Sequence, residues 1–226
     1  LGEIIVDWNH ADDANLVAPT VFQATYREFA RQTYCDEMGV ELCDEMLGSW
    51  YFWQERLAQM VAADVSAWFD DIRTPAIETR DDIFRRAALV ARSELEQSAG
   101  ADPGQWQWGR LHTVTFFSPL LPGKAPANVL GAGTHPKEGS GETLNRASYK
   151  FGKPWDATSI ASLRFVADLA DPDKVMAVLV GGASGRQFDA HLKDQTPAWL
   201  SGEPRYWWFS DAAIAKHKQT ELVLQP

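Results

Sequence analysis

The chain has 226 residues, a formal net charge of −10 and a pI near 4.9, and 45% of its residues are hydrophobic. This composition is typical of a folded globular protein and excludes a disordered chain, while the acidic excess argues against nucleic acid, whose phosphates need clustered Lys and Arg. No apolar run approaches about 18 residues, so we expect no membrane-spanning segment and no membrane partner.

Residues 1–104 have mainly helical periodicity. Pro19 suits the first turn of a helix, and aromatic residues then recur every three or four positions up to Tyr34. Gly39 and Gly48 interrupt this pattern, and a second helical stretch follows from Trp50. One face of this stretch carries Trp53, Leu57, Met60 and Val61.

A third helix is predicted from its start and stop signals. Thr79 followed three residues later by Asp82 imitates a capping box, in which each residue satisfies a backbone N–H of the other. The helix is expected to end near Gly100, before a turn at Pro103. Its apolar positions are Ile83, Ala87, Val90 and Ala91.

The two cysteines leave two alternatives. On one continuous helix Cys35 and Cys43 would lie about 12 Å apart, too far for a disulfide. A helix break at Gly39 would let them meet, and a disulfide would suit an exported protein. The pattern favours the first alternative, two unpaired buried thiols.

From residue 105 to residue 226 the pattern is mainly that of strands. Alternating or apolar runs predict strands over 111–117, 143–149, 162–169, 174–180 and 221–224. A loop is predicted over 119–126, a polar turn over 134–142, a hairpin turn at 171–173 and a short helix from Ser210. Helices first and antiparallel strands afterwards predict an α+β fold.

Residue patterns alone indicate no convincing active site. The five histidines and two cysteines lack metal-ligand spacing, so no metal site is predicted. Ser184 lies in a Gly-Ala-Ser-Gly-Arg phrase that resembles a nucleophile elbow, with His191 as its only candidate base. Arg186 occupies the position where the elbow needs glycine and no helix is predicted to follow, so we interpret Ser184 as part of a structural turn.

Five phrases in order give a stronger signal than any single motif. They are Trp-Gln-Trp-Gly-Arg-Leu-His at 106–112 with Pro-Leu at 119–120, Glu-Thr-Leu-Asn at 142–145, Ser-Leu-Arg-Phe-Val-Ala-Asp-Leu at 162–169, the glycine-rich 181–195 run ending in His-Leu-Lys-Asp-Gln, and Trp-Leu-Ser-Gly at 199–202. Together they resemble the penicillin acylase (penicillin amidase) family. Two departures are Ala183, where the family usually has Gln, and residues 188–191, where it has a Ser-Pro-His-Tyr-like phrase.

The resemblance implies an N-terminal-nucleophile hydrolase with a four-layer α-β-β-α fold, matured by autoproteolysis of a zymogen. In that family the N-terminal Ser of the β chain attacks an amide carbonyl and its own α-amino group acts as the base. Leu1 has no hydroxyl, so residues 1–226 are interpreted as the C-terminal segment of such a β chain. The nucleophile, the oxyanion Asn and the usual calcium ligands are expected upstream, in other segments of the precursor.

The resemblance gives one candidate site residue within the chain. Some cephalosporin-acylase-like members use a Glu of the C-terminal portion to orient a His near the nucleophile, and Glu142 is the nearest match. The alternative is an exposed carboxylate in a turn. Asn145, Arg164 and Asp168 are interpreted as supports of the sheet, with an ion pair between the last two sterically possible. Substrate-binding residues are not predicted.

The implied function is hydrolysis of the side-chain amide of an acylated amine, such as a β-lactam antibiotic or an acyl-homoserine lactone. The complete protein would perform it, in the periplasm or outside the cell, and this segment alone would be inactive. The partners would be the remaining segments of the precursor and a small acylated amide, with calcium as an ion of the complete enzyme. The alternative is a non-catalytic scaffold or binding module that retains the fold.

Overall fold

The computed structural model describes residues 1–49, 52–117, 131–203 and 205–224, and the chain divides into two compact units. The first unit contains Leu1–Thr115 and His135–Ile160, and the second contains Phe116–Thr134 and Ala161–Pro226. In the described ranges no helix combines the length and apolarity needed to cross a membrane.

The first unit is built mainly from helices. They are α1 (Gly2–Val6), α2 (Ala18–Met38), α3 (Val40–Ser49), α4 (Phe52–Ala63), α5 (Arg80–Ala99) and the single turn α6 (Trp108–Leu111). The capping box that the sequence predicts is present, since Thr79 Oγ1 accepts from Asp82 N and the Asp82 carboxylate accepts from Thr79 N at 3.1 Å. As predicted, α5 ends at Gly100, which has a φ of +93°.

The two long helices α2 and α5 form the core of this unit. Their helical repeat places one apolar stripe of each against the other, and burying such side chains contributes about 1.5–3 kcal/mol each. A second group of buried residues surrounds Trp106, whose indole Nε1 donates to Gly100 O at 2.8 Å. The buried stripe residues are Phe29, Ala30 and Tyr34 of α2 and Ile83 and Ala87 of α5.

The cysteines are bonded, so the expectation of two unpaired thiols is wrong. The α2 helix ends at Gly39, whose φ of +74° turns the chain sharply before α3 begins. This break brings the Cα atoms of Cys35 and Cys43 to 5.1 Å, and the two sulfurs form a disulfide. Gly48, in contrast, lies inside α3 and does not end a helix.

Four short strands complete the middle of the chain. They are β1 (Thr113–Phe116), which pairs with β2 (Gly133–Pro136), and β3 (Ala147–Ser148), which pairs antiparallel with β4 (Ser159–Ile160). The strand predicted from residue 111 starts two residues later because α6 includes Leu111, and β2 lies partly in the segment predicted as a polar turn. The loop predicted over 119–126 lies outside the described residues.

The strand predicted over 143–149 is largely wrong, since only β3 forms there. Residues 141–145 instead make a tight turn in which Thr143 Oγ1 accepts from Ser140 N at 2.9 Å. Gly139 enters this turn with a φ of +83°, and an added Cβ would lie 1.9 Å from Asn145 O. The side chain-to-backbone bond of Thr143 therefore replaces the ladder that the sequence pattern favours.

The second unit contains an antiparallel sheet with the order β5 (Leu163–Ala167), β6 (Val175–Leu179) and β7 (Arg205–Trp207). The helix α7 (Thr196–Ser201) lies between β6 and β7 in the chain, and α8 (Asp211–His217) follows β7. The short helix predicted from Ser210 is confirmed as α8, and the Ser210 side chain caps it by accepting from Ala213 N. The predicted strands at 162–169 and 174–180 are confirmed. The predicted strand at 221–224 is wrong, because its side chains are exposed and no described strand pairs with it.

Helices followed by antiparallel strands make this an α+β chain, as the sequence predicts.

Candidate functional site

The first unit contains an open cavity of about 740 Å³. Its walls come from the segment before α2, from α2 itself, from the α3–α4 region and from residues 140–159. These segments are far apart in the sequence, so the cavity exists only because the helices bring them together. All of its lining residues belong to this one unit.

Aromatic rings form one wall of the cavity. Phe22 and Tyr26 lie four residues apart on α2, so they share a helix face, and their rings stack at 5.9 Å. Trp8 packs against Phe22 at 5.3 Å, and Trp53 packs against Phe151 at 5.0 Å. The wall is thus a row of neighbouring rings rather than a set of isolated aromatic residues.

The floor of the cavity is polar and buried. Asp12 is only 8% exposed, and its carboxylate accepts a 3.4 Å hydrogen bond from Gln23 Nε2. The Gln23 amide is oriented by Tyr149, whose hydroxyl donates to Gln23 Oε1 at 3.0 Å. Burial raises the pKa of Asp12, although hydrogen bonds with the Ser140 and Gln23 side chains oppose the shift.

Glu142, the candidate from the sequence, lies among the residues that line this cavity. It is exposed and sits in the tight turn after Ser140. The pKa of Tyr26 is raised, mainly because the phenol is buried and secondly because the negative charge of Glu142 is near. The structure therefore places Glu142 beside an aromatic cavity as well as in a surface turn.

A buried lysine that the sequence analysis missed holds this turn. Lys137 is 1% exposed, and its Nζ donates to Asn145 Oδ1 at 2.6 Å and to Glu138 O at 2.7 Å. Asn145 thus supports the turn instead of a sheet. The polar run around Lys137 predicts a solvated loop, so no signal in the sequence distinguishes this lysine from its exposed neighbours.

The Trp-x-Trp-Gly-x-x-His phrase at 106–112 contacts the chain just before this turn. Trp108 Nε1 donates to Gly139 O at 3.0 Å, and the Trp108 ring stacks on the His112 ring at 4.3 Å. His112 Nδ1 lies 2.6 Å from Trp155 O, so this nitrogen carries the proton that it donates. Burial lowers the pKa of His112 to about 4, with the Lys137 charge as a smaller cause.

Ser184 lies in the second unit and forms part of a turn. Its Oγ accepts from Arg186 N at 3.1 Å, and its own N–H donates to His191 O at 3.1 Å. The His191 ring contacts Asp194 at 3.1 Å, and only a short 3-10 helix, Ala190–Leu192, follows instead of the helix that an elbow requires.

The supports proposed for the sheet lie at different places. Arg164 is on β5, and its guanidinium carbon lies 4.9 Å from the centre of the Trp199 ring. Asp168 lies just beyond β5 and its Oδ1 accepts from Ala170 N at 3.0 Å. Arg164 therefore packs on an aromatic ring by a cation–π contact.

A metal ion in a protein is held by several carboxylate, imidazole or thiolate groups that converge on one point. Across residues 1–49, 52–117, 131–203 and 205–224, no three carboxylate, histidine or cysteine side chains converge as metal ligands would. A calcium ion in the complete enzyme remains a prediction from the family resemblance.

Comparison with known families decides the assignment. The family model for penicillin amidase matches residues 2–216, which is nearly the whole chain. The chain belongs to the penicillin amidase family. The resemblance given by the five sequence phrases is thereby confirmed.

Relatives within the penicillin amidase family are named as acylases. The chain is 30% identical over 215 residues to the acyl-homoserine lactone acylase QuiP of Pseudomonas aeruginosa, covering 85% of this chain and 25% of that protein. It is 29% identical over 196 residues to QuiP of Pseudomonas putida, covering 80% of this chain and 23% of the relative. The chain thus spans about a quarter of the length of the curated relatives that it matches.

Among solved structures, a thermostable penicillin G acylase from Alcaligenes faecalis matches with a TM-score of 0.48 and 15% identity. That match covers 99% of this chain and 42% of the acylase chain.

Proposed function

We propose that this chain is the C-terminal part of an amidohydrolase that cleaves the side-chain amide of a small acylated amine. The observation that carries the proposal is the penicillin amidase match over residues 2–216, together with relatives named acyl-homoserine lactone acylases. An acyl-homoserine lactone is therefore the first substrate to test, and a β-lactam antibiotic the second. The partners of this chain are the other segments of the same precursor.

The proposed reaction of the complete enzyme needs a nucleophile that attacks the amide carbonyl. We place it on the N-terminal Ser of another segment, where the hydroxyl attacks the amide carbonyl and the α-amino group takes its proton. The proton then passes to the leaving amine as the carbon–nitrogen bond breaks, and water later releases the acyl group. Ser184 is proposed to have a structural role instead, because its Oγ accepts from Arg186 N and so stabilises the turn.

Glu142 is proposed as a positioning residue that orients a histidine of another segment. Its carboxylate lies at the cavity, and its turn is held by Lys137 and Trp108, so its position is fixed relative to the first unit. A carboxylate beside an imidazole selects the tautomer and raises the pKa of the ring. Glu142 would thus act through the histidine and would not touch the reacting atoms.

The test replaces Glu142 in the complete enzyme. Glu142→Gln is expected to lower kcat about 10- to 100-fold with little change in KM, and to shift the acid limb of the kcat profile to lower pH. Glu138→Gln is the matched control, since Glu138 lies four residues before Glu142 but is not among the residues that line the cavity. A Glu142→Gln enzyme with kcat within twofold and an unshifted pH profile would refute the role.

We also propose that the protein works in the periplasm or outside the cell. The bond between Cys35 and Cys43 supports this, because disulfides form and persist in oxidising compartments. Titration of free thiols in protein purified without reductant from its native cell tests the proposal. No reactive thiol is expected, and two would contradict it.

A further inference from the structure

The floor of the cavity is a buried carboxylate without a cationic partner. Within the described residues Asp12 forms no ion pair, and the groups that reach it are the neutral side chains of Gln23 and Ser140. All three are more than nine-tenths buried. A carboxylate in such a position loses much of its hydration, and a bound cation would offset that loss.

The wall beside this carboxylate has the chemistry that attracts organic cations. Trp8, Phe22 and Tyr26 form a continuous row with ring centres 5.3 to 5.9 Å apart. The face of each ring carries partial negative charge, so it attracts a cation held over it, most strongly when the site is desolvated. The carbon skeleton of a ligand would pack on the same rings.

We propose that this cavity binds a primary ammonium group carried on a short carbon skeleton. The ammonium group would contact the Asp12 carboxylate and the carbon skeleton the Trp8–Phe22–Tyr26 row. A carboxylate ligand is disfavoured by repulsion from Asp12, and a neutral ligand leaves that charge uncompensated. The charged residues Glu142, Arg146 and Lys150 also line the cavity, but all three are exposed and their charges are screened by water.

This inference goes beyond the proposed hydrolysis and does not depend on it, because binding here needs no nucleophile. The amine has two sources, a free small molecule or a lysine side chain. Benzylamine represents the first source and Nα-acetyl-lysinamide the second. Both are expected to be cations at pH 8.

The test is calorimetric titration of the complete protein at pH 8 with four probes. Benzylamine is expected to bind at least tenfold more tightly than benzyl alcohol, which has the same shape without the charge, and benzoate is expected not to bind. Binding of either amine supports the site, and binding of one alone also identifies the source of the amine. Failure of both amines, or equal binding of benzyl alcohol or benzoate, overturns the proposal.

Variants locate the binding. Asp12→Asn keeps the shape of the side chain and is expected to weaken binding of the amine at least tenfold, whereas the exposed Asp7→Asn should leave it unchanged. Phe22→Leu trims a ring that is 41% exposed, so folding is safe, and should weaken binding several-fold. Unchanged affinity in a folded Asp12→Asn chain, or in Phe22→Leu if Asp12→Asn does not fold, contradicts the site. Loss of amide hydrolysis in the complete enzyme would leave these results unaffected.

Discussion

At the scale of single residues, contact with His191 determines which residue can occupy position 182. An added Cβ at Gly182 would lie 1.9 Å from His191 O and 2.8 Å from the Asp194 side chain. Its neighbour Gly181 has the positive φ, +89°, that glycine tolerates without strain. The glycine-rich turn therefore has two separate requirements, space at 182 and backbone conformation at 181.

We predict that Gly182→Ala lowers the free energy of unfolding by about 2–3 kcal/mol, because the clash is with backbone that cannot rotate away. Gly185→Ala is the control, since a Cβ there meets nothing within 4 Å and its φ is not positive. Urea unfolding of both variants measures the difference. Equal stability of the two would show that the turn yields at no cost.

His112 makes stability depend on pH. Its folded pKa is lowered to about 4, so between pH 4 and about 6.5 the unfolded chain binds a proton that the folded chain does not. The free energy of unfolding therefore falls as pH drops through this window, by up to about 3 kcal/mol. His112→Asn keeps a donor for Trp155 O and should remove this component.

The measurement is urea unfolding at several pH values from 4 to 8, for the wild type and for His112→Asn. The exposed His217→Asn is the control and should keep the wild-type slope. If the free energy of unfolding of His112→Asn depends on pH as steeply as that of the wild type, other groups cause the dependence.

At the scale of elements, the start of α5 depends on two reciprocal hydrogen bonds between Thr79 and Asp82. Thr79→Ala removes the acceptor for Asp82 N and should lower the free energy of unfolding by about 1 kcal/mol. Thr79→Ser retains the hydroxyl and should restore most of it. Thermal melting of the two variants measures this difference. If Thr79→Ala is as stable as Thr79→Ser, packing alone determines where the helix starts.

Elements with local signals were predictable from the sequence, and those fixed by distant contacts were not. The cap at Thr79, the stop at Gly100 and the hairpin of β5 and β6 each depend on a few adjacent residues. The segment predicted as a strand at 221–224 has an apolar run, but no strand among the described residues pairs with it, and a strand needs a partner. The disulfide was open from sequence because it depends on whether the helix breaks at Gly39.

The candidate site follows the same rule. Glu142 was proposed from the sequence because it lies in a phrase that resembles the family, and the structure places it among the residues that line the cavity. Asp12, Gln23 and Tyr149 were missed because they join only when α2 packs beside residues 140–151, more than a hundred residues away. No periodicity within a window of sequence carries that information.

At the scale of the whole molecule, the chain is about a quarter of the length of relatives named as acyl-homoserine lactone acylases. Its first unit supplies the cavity and Glu142, and its second unit supplies a sheet and the Ser184 turn. We propose that this chain supports the active site and that another segment carries the nucleophile. Hydrolysis should therefore require the complete protein.

The most direct test measures the hydrolysis of an N-acyl-homoserine lactone through the amount of free amine that is released. The complete protein and the 226-residue chain are assayed separately. We predict turnover by the complete protein, turnover within a few-fold of that value in its Ser184→Ala variant, and none by the chain alone. Steady turnover by the 226-residue chain, abolished by Ser184→Ala, would contradict the account and make Ser184 the nucleophile.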